Sequence, residues 1–439
     1  MNSFKLINNK KIGAQETVPK KPSLLEKIVK CTKKMIYSEN FKSQSRSKPN
    51  DFTRNRKMPF EEVILFMLMS LKCSTQTALR RFFIAMGMGI TMTMKQQSFS
   101  DARKKIKIEA FIELFRLSSF TMAEECNAKW NGYKVYAIDG TKIALPTDKK
   151  LAEYFGTLGK SGTAPTAQGS ILLDVLNDIV IDAAIEPLTY DERTLASWHL
   201  NILSEMVSDD KKVAVSDRGY ASFELIDKYE DVGIYYVMRV KEKFNAEIDA
   251  QTTPDGYVWL EKGSRRIRVR VIKFKLESGE METLITNIFD KRIGVKEFKE
   301  LYYLRWPIET KFDIVKNKLN IEHFSTRTVD GIYQEFYATM FLTNIAAAGA
   351  HDAQIFIVEE REDKNNKYDY HANVNEAIGI LKDRLVLAFI VDDPDLQAKV
   401  VENIVNEIKT VVTPYRPNRS TPRKPSRTAR FYHNRRANC

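Results

Sequence analysis

The spacing of apolar positions changes character twice along the chain. Near the start it is helical. "SLLEKIVKCTKKMIY" repeats its apolar residues every three or four positions, and a basic loop, "KSQSRSKPNDFTRNRK", follows. Pro59 then opens "PFEEVILFMLMSLKC", with Glu61 and Glu62 in a first turn whose dipole favours acids. "TQTALRRFFIAMGM" and "SFSDARKKIKIEAFIELFRLSSF" read as two more helices, the second with Ser100 as N-cap. These predict a helical domain over 24–127, preceded by a basic flexible arm over 1–23. Such a bundle serves packing, dimerisation or DNA binding, and Arg80, Arg81, Arg103, Lys104 and Lys105 tilt the reading toward DNA.

From Gly132 the period shortens to two. "YKVYAID" is a strand ending at Asp139, and "GSILLDVLNDIVIDAAIEP" is a hairpin turning at Asn177-Asp178. A helix, "ERTLASWHLNILSEMV", leads to the strand "KVAVSD", which ends at Asp217. Strand, hairpin, helix, strand predicts a mixed α/β sheet over 128–230, completed by 289–330. Between them, 231–288 is almost all strand-like, a β insertion. In "RIRVRVIKFK" the apolar phase shifts at Val271-Ile272, which predicts a bulge. Arg266, Arg268, Arg270, Lys273 and Lys275 form the opposite face, either solvated or a rail for a DNA backbone.

Helical spacing returns in "LYYLRWPIETKFDIVK". Tyr302, Arg305, Glu309 and Lys316 fall within about 60° of one another on an ideal α-helix. Leu304, Ile308, Phe312, Val315 and Leu319 form the neighbouring apolar stripe. Pro307 interrupts this segment and predicts a kink. Further helices over 331–412, a possible dimerisation region, precede a Pro-, Ser- and Arg-rich flexible tail over 413–439.

Charge sharpens this outline. The chain has 439 residues and a net charge of +12, but Met1–Lys57 alone carries +11 and Val411–Cys439 +8, leaving −7 between them. Basic ends on an acidic middle suit a polyanion held by arms around a centre that needs carboxylates, although either end alone reads equally well as a solvated tail. Cys31, Cys73, Cys126 and Cys439 have neither zinc-site nor disulfide-framework spacing, which fits a reducing cytoplasm. No apolar run reaches the roughly 18 residues of a membrane span, so no membrane partner is expected.

Three carboxylates stand out by context: Asp139 and Asp217 at strand ends, and Glu309 on its amphipathic helix. Hard oxygen ligands of this kind suit Mg²⁺ or Mn²⁺, and two such ions can activate an attacking oxygen and stabilise a leaving one in phosphodiester cleavage. Arg305 and Lys316 would neutralise phosphates on the same face. Asp313 is a competitor for the role of Glu309.

The motif itself resembles the signature Tyr-x2-Arg-x3-Glu-x6-Lys of a family of bacterial insertion-sequence DDE transposases. Tyr302, Arg305, Glu309 and Lys316 match it without a gap, and Trp306 after the arginine is typical. "VYAIDGT" and "VSDRGYAS" resemble the blocks around the first and second catalytic aspartates, and "DVLNDIVIDAAIEPLTYDERTLASWHL" resembles the stretch joining them. The resemblance covers roughly residues 60 to 340. It implies an RNase H-like catalytic fold with a β insertion between the second Asp and the Glu. It also implies that Asp139, Asp217 and Glu309 bind two Mg²⁺ ions, and that Tyr302, Arg305 and Lys316 contact phosphates near the cleaved end. Arg218, in the second block, is expected to join those contacts. Implied chemistry is cleavage at inverted repeats of double-stranded DNA, through a 3′-OH and a hairpin, then strand transfer to target DNA by a homodimer in the bacterial cytoplasm, at the nucleoid. A metal-dependent nuclease of the same fold and a domesticated DNA-binding relic are the alternatives; intact acids count against the relic.

Overall fold

Among the described residues, six helices precede the first long strand. They are α1 (Leu24–Ile36), α2 (Glu39–Ser45), α3 (Phe60–Leu68), α4 (Thr75–Ala85), α5 (Gln96–Arg103) and α6 (Glu109–Glu125) in a computed structural model. It describes residues 22–416 except 55–56, 70–71, 89–93, 160–163, 277–278 and 363–366, so most of the basic arm and the tail beyond Arg416 lie outside the described residues. Ser100 is not a cap: it lies inside α5, its hydroxyl donating to the Gln96 carbonyl at 3.0 Å. The single helix expected there is two, because the backbone between them pairs elsewhere. Ser47 N donates to Lys105 O and Lys107 N to Ser45 O, both at 2.8 Å, and this bridge draws those groups out of the helical ladder.

The strands are β1 (Tyr133–Ala144), β2 (Thr157–Leu158), β3 (Ala164–Asp174), β4 (Ile179–Glu186), β5 (Lys211–Ser216), β6 (Tyr235–Arg239), β7 (Asp255–Lys262), β8 (Arg265–Lys275) and β9 (Met281–Thr286). They form one nine-stranded sheet in the order β2-β3-β1-β5-β6-β9-β8-β7, with β4 also on β3. β1, β3 and β4 make an antiparallel meander; β5 pairs parallel with β1, and β6 parallel with β5. β9, β8 and β7 then continue antiparallel, so the strands predicted over 231–288 extend the same sheet. Helices α7 (Lys149–Phe155), α8 (Glu192–Glu205), α9 (Phe223–Val232) and α10 (Ala246–Ala250) lie between the strands in sequence.

Two features depart from expectation. β1 does not end at Asp139 but runs on to Ala144, because β3 stays paired with it as far as Ala144↔Thr166. The bulge in β8 is absent, since its register with β7 and β9 is unbroken. The apolar residues simply change faces: Ile267, Val269 and Val271 enter the larger core, whereas Ile272 and Phe274 enter a smaller one with Phe298 and Leu301. By the two-residue period, Lys273 and Lys275 therefore point away from Arg266, Arg268 and Arg270, and the predicted basic face is split. Nor is Arg270 solvated. It is buried, donating to Asp255 and to the carbonyls of Ile288, Asp290 and Ile293.

After the sheet come α11 (Val295–Tyr303), α12 (Pro307–Asp313) and a π-helical turn (Ile314–Lys318). The 31-residue helix α13 (Val329–Glu359) is buried through most of its length, and α14 (Val374–Ile390) and α15 (Pro394–Lys409) pack on it. Its buried Asp352 accepts from the first two amides of α1 at 3.0 and 2.8 Å, tying the chain's two helical ends together. Among the described residues no helix is long and apolar enough to cross a membrane.

Candidate active site

Pairing between β1 and β5 ends at Ala137↔Val215, two residues before Asp139 and two before Asp217. β1 runs on while the chain turns away after β5, leaving a notch at the sheet's centre with an aspartate on either side. Asp217 is held by its local turn: Arg218 N donates to Oδ1 at 2.7 Å and Tyr220 N to the Asp217 carbonyl at 3.0 Å. Asp139 accepts from Gly140 N at 2.9 Å.

The segment carrying the other signature residues is not one helix. α11 stops at Tyr303, and Pro307 starts α12 at its first position, where a missing amide costs nothing. Tyr302 thus sits in the last turn of α11, Arg305 in the link, and Glu309 in the first turn of α12. The break does not scatter them. Arg305 Nη2 donates to Glu309 Oε1 at 2.9 Å, Nη1 lies 3.5 Å from Asp139 Oδ2, and the Tyr302 hydroxyl donates to Asp217 Oδ1 at 3.4 Å. Tyr302 and Arg305 are buried; Glu309 is part-exposed.

Lys316 belongs to the π-helical turn, so a strict α-helical angle to Glu309 does not apply. Its Nζ donates to the Lys142 carbonyl at 2.6 Å, and so it lies along β1 three residues past Asp139, outside the acid cluster. Arg218 is exposed beside Asp217. Asp313 is exposed and accepts from Asn317 at 2.6 Å.

Electrostatics follow from burial. Desolvation lifts the Asp139 carboxyl to about 6 against an opposing Gly140 hydrogen bond and the Arg305 charge, with Glu192 and Asp217 adding to the rise. Burial likewise pushes the Tyr302 phenol up to about 12, helped by Asp217. Among the described residues, no three His, Cys, Asp or Glu side chains stand close enough to hold a metal ion as placed. The positive charge between Asp139 and Glu309 is the Arg305 guanidinium, whose Nε is buried without a partner.

Beneath Asp139 runs a second polar chain. Buried His199 of α8 bonds Asp182 at 2.7 Å and Ser170 Oγ at 2.9 Å, and Ser170 Oγ donates to the Asp139 carbonyl at 3.3 Å. These are the residue types of a nucleophilic triad, but Ser170 and His199 are both fully buried, with no room for a substrate. The chain locks α8 and β3 to β1. Two neighbours of the acids escaped the sequence reading, Glu192 and Tyr220. The spacing Asp191-Glu192 ahead of a helix and "DRGY" were the available signals, and both look like ordinary capping and turn residues.

Residues 130–345 match the family described as Transposase DDE domain, a span holding every residue of this site. A probable transposase for the insertion sequence element IS5377 of Geobacillus stearothermophilus is 22% identical over 152 residues, 32% of this chain. The match spans 40% of that relative's length. A cryo-EM structure of a piggyBac transposase synaptic complex with hairpin DNA aligns over 93% of this chain and 92% of that one, at a TM-score of 0.44 and 11% identity. A likeness that loose carries no conclusion. The family match and the insertion-sequence relative make the central part of this chain similar to transposase DDE domains.

Proposed function

We propose that the chain is an insertion-sequence transposase that binds terminal inverted repeats of double-stranded DNA as a homodimer, cuts there by metal-dependent phosphodiester hydrolysis, and transfers the freed 3′ ends to target DNA through a hairpin intermediate. Asp139, Asp217 and Glu309 are its catalytic acids, and the signature is that of the Tyr-x2-Arg-x3-Glu-x6-Lys family. The carrying observation is the contact set of Arg305 and Tyr302, which link Asp139 to Glu309 and reach Asp217 across 166 and 85 residues of chain. The sheet order β4-β3-β1-β5-β6, antiparallel then parallel, supports an RNase H-like core.

The donor set fits Mg²⁺, with Mn²⁺ as substitute: all its oxygens are hard, and a cleft already arranged around a guanidinium favours positive charge. Two bound ions would supply Lewis-acid stabilisation of the attacking and leaving oxygens. Asp139, Asp217 and Glu309 would hold them. Arg305 would turn from the carboxylates to a phosphate, an exchange its planar fork suits, and its unpartnered Nε gives it a further donor. Lys316 and Arg218 would hold phosphates to either side, along β1 and past β5. The Tyr302 phenol, kept protonated by burial, stays a donor throughout the neutral range.

The test is incubation of purified protein with a plasmid carrying this gene and its native flanks, plus Mg²⁺, with products mapped by size and terminus. Cuts at both flanks with hairpin or transferred ends, absent in Glu309→Gln, are expected. Cuts without strand transfer would make it a nuclease of the same fold; flank binding without cutting would make it a DNA-binding protein.

A further inference from the structure

β1 presents successive side chains to opposite faces of the sheet, so Asp139 and Gly140 look in opposite directions. On the Asp139 side stand Tyr302, Arg305 and Glu309. On the Gly140 side lies α8, fixed there by the bond from His199 to Ser170, the register partner of Gly140. Glu192 is the first residue of α8. A Cβ built on Gly140 would meet Glu192 Cγ at 2.8 Å and its carboxyl carbon at 3.0 Å. Any residue but glycine at 140 would therefore push the Glu192 carboxylate away from the notch. Arg193 Nε donates to the Gly219 carbonyl at 3.0 Å, fastening the same turn of α8 to the loop that carries Asp217.

A second observation points into this space. The Tyr220 hydroxyl is almost completely buried and has no hydrogen-bond partner. Burial pushes this phenol well above its usual range, and the charges of Asp139, Glu192, Tyr229 and Asp217 add to the rise. A buried, unsatisfied hydroxyl is costly unless a ligand or its water shell completes it. Among the described residues Glu192 itself makes no hydrogen bond or ion pair through its side chain, while Arg305 pairs with Asp139 and Glu309.

We propose that Glu192 is a fourth carboxylate of the catalytic cleft, reaching it from the face opposite Glu309 through the gap left by Gly140, and that with Asp139 and Asp217 it holds one of the two divalent cations, whose water shell the Tyr220 hydroxyl completes. The assignment rests on the reading of the cleft as a metal-dependent transposase site. It explains the glycine after Asp139, where a larger residue would close the passage.

Mn²⁺ titration of the full chain, followed by electron paramagnetic resonance of the free ion, tests it without any cleavage step. Wild type, Asp139→Asn, Glu192→Gln and Tyr220→Phe would be compared, each checked for native melting by circular dichroism. Two ions bound by wild type, with Glu192→Gln weakening one of them tenfold or more and Tyr220→Phe weakening the same one less, is the expected result. Glu192→Ala serves where the glutamine variant melts abnormally. Wild-type binding lost in Asp139→Asn but unchanged in a folded Glu192 variant overturns this assignment and leaves the catalytic reading standing. Binding that Asp139→Asn does not alter, or none at all, overturns both.

Discussion

Arg305 holds its guanidinium 3.5 Å from the Asp139 carboxylate, although 166 residues separate them. The pair joins the link between α11 and α12 to the strand at the sheet's centre. Lysine at 305 would keep the charge but lose the planar fork that also reaches Glu309. Arg305→Lys should lower the single-turnover rate of end cleavage about a hundredfold, the scale of losing an aligned donor at a reacting centre. Quantifying cleaved ends on a gel checks this, and a rate within threefold of wild type would refute it.

Asp139 carries a pH signature. Burial holds its carboxyl at about 6 in the folded chain, above the ordinary 3.8. The folded chain therefore keeps a proton that the unfolded chain has released across that interval, and stability from this group falls as the pH rises through 6. Asn mimics the protonated form. Asp139→Asn should match wild type in urea melts near pH 3.5 and exceed it by about 3 kcal/mol at pH 7, while abolishing cleavage. A variant less stable than wild type at pH 7 would show that the ion pair with Arg305 outweighs the relief of desolvation.

Lys316 touches β1 through the Lys142 carbonyl and lies 3.8 Å from Glu322. Its role in phosphate binding then appears where alignment matters most, in the transition state. Lys316→Ala is expected to slow cleavage roughly tenfold while changing end affinity less than about twofold. Parallel binding and single-turnover assays decide it, and equal losses in both would make the lysine a simple binding contact.

The Arg-rich tail is best removed after Arg416, because Tyr415 N donates to the Asp369 carbonyl at 2.7 Å and its ring stacks on His371. That cut deletes seven lysines and arginines. DNA affinity should fall, and its log–log salt dependence should flatten by about 0.9 for each phosphate that the tail had neutralised. Fluorescence anisotropy across a salt series measures the slope, and an unchanged value would mean the tail only keeps the protein soluble.

Residue order alone established which segments are helix or strand and which acids and bases to look for. Those signals are local: period two through β1 and the β3–β4 hairpin, the left-handed Asp178 of its turn, and the spacing from Tyr302 to Lys316. It misled where a neighbour distant in the chain claimed the backbone or changed the solvent on one side. Residues 45–47 split the helix around Lys105, and α11 covered one face of β8, so that a change of buried face looked like a bulge. Three-dimensional packing was needed to bring Tyr302 and Arg305 to Asp217 and Asp139 although Pro307 breaks their helix, to make Arg270 interior, and to lay Glu192 against Gly140. Such meetings depend on the sheet register and on the seating of α8 and α11 against it. Both are set by burial summed over the whole core, which no short stretch of residues encodes.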